Sequence, residues 1–154
     1  MTITQTVDVS GIVKFANQMR KVSPVTAEKT RTVIVEAGEL VKKEADKRAR
    51  AIMPNKAPKI DVRVGDVGAV VVAQIRATGN LGKLFEAGGK GGKAGSPAAW
   101  RHPLFGNTDY WYDQKPQPYL VPALHSTRDE VLARMLTKMN LVMAEYFDRV
   151  FEGG

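Results

Sequence analysis

Among the acids of this 154-residue chain, Glu86 is placed most like a catalytic group, between apolar Phe85 and the small pair Ala87-Gly88. A general acid there needs a second carboxylate or a base nearby, and Asp109 and Asp113 are the only other acids in the same loop. A salt bridge, or acceptance of backbone N–H groups, is the simpler use of such a residue. His102 precedes Pro103 and His125 follows Leu124, and neither has an obvious serine-acid partner. The run Ala87-Gly88-Gly89-Lys90-Gly91-Gly92-Lys93-Ala94 has the composition of a phosphate-cradling loop. Such a loop needs a glycine five positions before its final Gly-Lys and a hydroxyl residue after it, but positions 87 and 94 are both alanine. The run instead reads as a mobile basic loop, costly to order because of its glycines and kept solvated by its lysines, which could order on a partner or on DNA.

With no cysteine the chain has no disulfide, no thiolate metal site and no thiol nucleophile. Two histidines make zinc hard to build, so no metal or cofactor is expected. The net charge of +7 is uneven, for Lys42, Lys43, Lys47, Arg48, Arg50, Lys56 and Lys59 face only Glu44 and Asp46 between positions 42 and 59. Clustered cations attract a nucleic-acid backbone through counterion release, and they are also common on plain solvated helix faces. Trp100, Tyr110, Trp111 and Tyr112 could stack bases, but aromatics without interleaved cations more often form a local core or a protein interface. No segment reaches the roughly 18 apolar residues of a membrane span. The first residues lack a signal peptide's basic start and apolar run, so the chain is expected to work inside a cell.

The elements that must position these residues form one α+β domain over residues 1–154. Residues 1–8 read as a flexible N-terminus, and Ser10 can cap a short helix over 10–22 with Ile12, Val13, Phe15, Ala16 and Met19 on one side. Ser23-Pro24 reads as an N-cap with proline at the first helical position of a long helix over 24–52. Val33, Ala37, Leu40, Val41, Ala45, Ala49 and Ile52 make its inward stripe, and Pro54 stops it. Residues 59–76 read as a β-hairpin: Ile60, Val62 and Val64 alternate with charges, Gly65-Asp66-Val67-Gly68 turns, and an apolar return strand lies centrally. The last helix is expected over 126–151, with Thr127 and Glu130 at capping-box spacing. Its apolar stripe is wider than one packing face needs, implying burial on two sides, within the domain or against a neighbouring subunit. The expected architecture is therefore long amphipathic helices on a small antiparallel sheet with a β-hairpin core and one long irregular loop, residues 84–123.

The order of long helix, β-hairpin, Phe85-Glu86-Ala87-Gly88, Gly/Pro-rich loop, Pro118-Tyr119-Leu120-Val121-Pro122-Ala123 and final helix resembles the neck and tail-completion proteins of long-tailed bacteriophages, of the minor tail protein Z type. Arg101-His102-Pro103-Leu104-Phe105-Gly106-Asn107 looks like a loop of members from phages of actinobacteria. The resemblance spans roughly residues 9–150 and departs from the family in the length of the insertion over 90–115. It implies a structural virion protein without a catalytic site, assembled in the host cytoplasm. The subunit would form or join a ring at the head-proximal end of the tail, around the DNA channel. Its partners would be further copies of itself and other neck and tail proteins, with no membrane and no small-molecule ligand. The expected docking residues are Phe85, Glu86, Gly88, Trp100, Phe105, Tyr110, Trp111, Tyr112, Pro118, Tyr119 and Leu120. Lys42, Lys43, Lys47 and Arg50 would face the channel and touch DNA nonspecifically. The competing reading is a small nucleic-acid-binding module built on the basic helix and the Gly/Lys loop.

Overall fold

The Ser23 hydroxyl accepts a hydrogen bond from the Thr26 amide at 3.3 Å, and Pro24 occupies the first turn where its missing N–H costs nothing. From this cap, helix α1 runs over Pro24–Ile52, with the bounds expected of it. In the computed structural model, residues 2–6, 23–67, 70–89, 91–93, 95–104 and 106–152 are described. The short helix expected over 10–22 lies outside them. Residues 2–6, expected to be flexible, instead form strand β1 over Thr2–Thr6. Three of its five residues are threonine and one is isoleucine, and β-branched residues suit a pleated backbone that finds a free sheet edge.

Strands β2 (Ile60–Val67) and β3 (Val70–Thr78) form the expected antiparallel hairpin, in register from Ile60 with Ala77 to Val67 with Val70. Gly65, Asp66 and Val67, expected in the turn, belong to the paired strand. β1 adds to the other edge of β3, giving the sheet order β1-β3-β2 with the apolar strand in the centre. Ile60, Val62 and Val64 do share a face, and Ile60 is buried beside Ile75 and Ala77 in the core that α1 covers. The guanidinium of Arg31 ties α1 to the sheet by donating to the Val64 carbonyl at 3.2 Å.

After a short helix α2 (Asn80–Ala87), a second antiparallel pair, β4 (Trp100–Leu104) and β5 (Asn107–Gln114), precedes the last helix, α3 (Leu120–Glu152). The stretch 84–123 is therefore not an irregular loop. It holds the end of one helix, a hairpin and the first turn of another.

α3 packs mainly along α1 and runs antiparallel to it. Lys29 meets Glu145, Glu36 meets Lys138 and Arg48 meets Ser126, so each step along α1 is matched by an equal step backwards along α3. The ion pairs are exposed and each contributes about 0–1 kcal/mol, which makes them guides to register more than sources of stability. Stability comes from Val33, Ile34, Ala37 and Val41 buried with Val131, Met135, Met139 and Val142 in one core that also includes the sheet and the start of α3. Each large apolar side chain fully buried there contributes roughly 1.5–3 kcal/mol. Thr30 and Thr127 are buried too, and their hydroxyls are satisfied by donating to the Thr26 and Ala123 carbonyls one turn back.

Candidate functional site

The β4–β5 arm leaves the domain and returns to it at one place, and Glu86 builds that place. Its side chain is fully buried, and one carboxylate oxygen accepts from the amides of Tyr119 and Leu120, both at 2.7 Å, while the other accepts from Val121 at 3.0 Å. A helix start has unpaired N–H groups and a positive dipole end, so a carboxylate is the acceptor it most favours. α3 therefore begins at Leu120, ahead of the Ser126-Thr127 expected as its start. Pro122 sits in its first turn, where no amide is needed. The Thr127–Glu130 capping box does not form: Thr127 bonds back to Ala123, and Glu130 pairs with Arg134 at 2.6 Å.

Tyr119 closes the clasp from the other side. Its hydroxyl donates to the Gly82 carbonyl at 3.2 Å, and the ring is fully buried. Burial, and next the neighbouring Glu86 carboxylate, raise its pKa well above the ordinary tyrosine range. The Gln117 amide donates to the Phe85 carbonyl at 2.9 Å, completing the junction.

Gly88, Gly89 and Gly92 of the run between α2 and β4, where composition predicts a mobile loop, are held by backbone hydrogen bonds. Gly88 adopts φ +77° and donates to Leu84, and the amides of Gly89 and Ala98 donate to the carbonyls of Ala98 and Ala87 at 2.9 and 3.0 Å. A Cβ on Gly88 would lie 1.6 Å from the Ala98 oxygen, and one on Gly92 1.8 Å from the Ala87 oxygen. Close backbone approach explains both glycines, independently of any phosphate.

Beyond this base the hairpin projects. Trp100 packs edge-on against Phe85, ring centres 5.9 Å apart, and anchors it. Arg101 bridges to Asp113 at 3.0 Å and lies 5.9 Å over the Trp111 ring. His102 shares a hydrogen bond with Gln114 at 3.1 Å and contacts the Tyr112 ring. Tyr110, Trp111 and Tyr112 remain 66%, 51% and 55% exposed. Strand alternation sends Trp111 to one face and Tyr110 with Tyr112 to the other, so neither face of the arm is covered.

Of the expected docking residues, Glu86, Gly88, Tyr119 and Leu120 are buried inside the chain, while Phe85, Trp100 and Pro118 are half-buried at the arm's base. Phe105 lies outside the described residues. Among the described members of that group, only Tyr110, Trp111 and Tyr112 are presented outwards. The sequence also pointed past a second surface: Leu132, Leu136, Phe147 and Val150, at steps of four, eleven and three along α3, are exposed on the helix whose wide stripe called for a second covering face.

The basic residues are less available than their number implies. Lys42 pairs with Glu39 at 3.2 Å, and Lys47 and Arg48 both pair with Glu44, at 3.8 and 2.8 Å. Asp46, its carboxyl raised by burial against the opposing pull of Lys42 and Arg50, sits in the same row. On one side of the α1–α3 seam a groove of about 610 Å³ opens, with Val33, Leu40 and Met135 at its floor and Lys42, Lys43 and Arg134 among its rim. Among the described residues no group of three or more histidines and acids could hold a metal ion, and no helix is long and apolar enough to cross a membrane. No protein-family model, curated protein or solved structure matches this chain.

Proposed function

We propose that this chain is a structural subunit of the head-to-tail junction of a long-tailed bacteriophage, forming or joining a ring at the head-proximal end of the tail. The observation that carries the reading is the β4–β5 arm, which exposes Tyr110, Trp111 and Tyr112 on both faces while its base is locked to the domain. A two-stranded hairpin is marginal by itself in water, and clustered exposed rings are costly unless a partner covers them. The exposed stripe of α3 adds a second surface of the same kind. Two sticky surfaces at different places on one chain suit heterologous, ring-closing association better than a monomer's life. Glu86, the best candidate for an acid catalyst, has both carboxylate oxygens occupied by backbone amides and is closed to solvent.

On this reading Lys42, Lys43, Lys47 and Arg50 line or approach the DNA channel, where a passing genome calls for weak attraction. The acidic partners within the same helix temper their field, which favours that role over a dedicated nucleic-acid-binding module. The test adds purified chain to tails assembled without it and follows joining to heads, with light scattering on the chain alone. A ring, or a monomer that incorporates only onto tails, is expected. A stable monomer that neither binds tails nor restores joining sinks the reading. Tight DNA binding with a steep salt slope would favour the module instead.

A further inference from the structure

We propose that the β4–β5 arm of one copy seats in the α1–α3 groove of the next, so that the contact between copies is head-to-tail; this rests on the ring reading above. The two surfaces complement each other in shape, since one projects and the other is hollow. At about 610 Å³ the groove falls in the roughly 300–1,000 Å³ range of cavities that enclose a ligand, and its floor of Val33, Leu40 and Met135 is apolar. The arm offers Trp111 and the flanking tyrosines to fill it.

They complement each other in charge as well. Within a chain of net charge +7, residues 100–114 carry Arg101 against Asp109 and Asp113, a local excess of acid. The groove's lining carries Lys42, Lys43, Arg134 and Lys138 against Glu36, Glu39 and Asp46, a local excess of base. Asp109 on the arm makes no ion pair among the described residues, and in the groove lining neither do Lys43 and Asp46. Seating the arm with Asp109 against Lys43 pairs opposite charges beside a desolvated apolar contact, which fixes register more than it adds affinity. It leaves Lys47 and Arg50, which lie outside the groove lining, as the residues that approach the channel.

The contact is small. Three partly exposed rings, each able to bury at most about 150–250 Å², fall short of the roughly 800 Å² per partner of a stable pair. A single arm–groove contact is therefore weak, and closure of a ring, in which every copy gives one arm and receives another, supplies the cooperativity.

Carbodiimide crosslinking, which joins carboxylate to amine only where they touch, tests this on full-length chain mixed as isotope-labelled and unlabelled copies. The mixture is treated at its solubility limit and again in assembled particles. Mixed-isotope peptides joining Asp109 or Asp113 to Lys42, Lys43 or Lys138 are expected. Asp109→Lys and Lys43→Asp should each weaken self-association roughly fivefold, and combining them should restore it. Both positions are at the surface, and circular dichroism verifies that the variants fold. The absence of such crosslinks in both preparations, or mixed-isotope crosslinks confined to other surfaces, overturns the proposal. A ring held by other surfaces leaves the junction reading standing while this contact falls. Arm–groove crosslinks in a chain that never joins tails do the reverse.

Discussion

The carboxylate of Glu86 holds the amide of Tyr119 at 2.7 Å, across 33 positions of sequence, while the Tyr119 hydroxyl reaches back to the Gly82 carbonyl. The two residues clasp α2 to the first turn of α3. Everything between them, the glycine turn and the β4–β5 arm, is thereby a closed loop on a rigid base. An arm that is to present aromatic rings to a partner loses less entropy on docking when its base is already fixed.

Removing that acceptor should be costly. Glu86→Ala leaves three amides at a buried helix start without a partner and is expected to destabilise the fold by about 3 kcal/mol. Glu86→Gln keeps one acceptor oxygen, loses the charge that complements the helix dipole, and should cost about 1–2 kcal/mol. Urea unfolding of both variants measures this. A change below about 0.5 kcal/mol in the alanine variant would show that the clasp is not holding the fold together.

Tyr119 gives an alkaline signature. Its folded pKa is raised, so the folded state favours the neutral phenol. The stabilisation is complete below the unfolded tyrosine value of about 10 and is lost as pH rises from there through the higher folded value. Stability should fall on that side, and tyrosinate absorbance should show one tyrosine ionising only together with unfolding. In Tyr119→Phe the alkaline decline should be shallower, at a cost near neutrality of about 1 kcal/mol for the lost hydrogen bond to the Gly82 carbonyl. An equally steep decline in the phenylalanine variant counts against this account.

The glycine turn is predicted to be intolerant. Gly88→Ala meets the Ala98 carbonyl and a positive φ together, and Gly92→Ala meets the Ala87 carbonyl. Each is expected to cost about 1–3 kcal/mol and to loosen the arm's attachment. Faster tryptic cleavage after Lys93 and Arg101, with red-shifted tryptophan emission, would register it. Gly91→Ala, with open space around the new methyl, should move the backbone through its positive φ alone and cost less.

Stability and assembly should separate at the arm's exposed rings. Trp111 and Tyr112 are about half exposed and pack on Arg101 and His102 within the arm, so Trp111→Ser or Tyr112→Ser is expected to change unfolding by about 1 kcal/mol. Self-association or incorporation into particles should nevertheless be lost. Variants that assemble normally would place the docking surface elsewhere, and Leu136→Asp on the exposed stripe of α3 is the matching probe of that alternative.

Much of the fold was legible because its signals are local. Ser23-Pro24 and Pro54 bound α1 through capping and the missing proline amide, and alternation of Ile60, Val62 and Val64 with charges orients β2. The apolar run after it marks the central strand. The arm also left a trace: Tyr110-Trp111-Tyr112 beside Thr108 has strand-forming composition, and Gly106-Asn107 has turn chemistry, though Pro103 and the surrounding glycines mask both.

The start of α3 was not legible, and the reason is physical. Thr127 and Glu130 have the spacing of a cap, but spacing offers only a possible acceptor, whereas Glu86 supplies a charged one from a distant part of the chain and lets the helix begin at Leu120. Likewise Gly88 and Gly92 read as looseness until the carbonyls of Ala98 and Ala87 stand against them. Sequence alone determined α1, the β2–β3 hairpin and the existence of α3, and that α3 has more apolar surface than one face can bury, while β1, α2 and the β4–β5 arm were not read from it. Tertiary structure decided where α3 begins, that Glu86 is a structural acceptor, and which aromatic rings are left outside, because each of those depends on what a distant segment brings into contact.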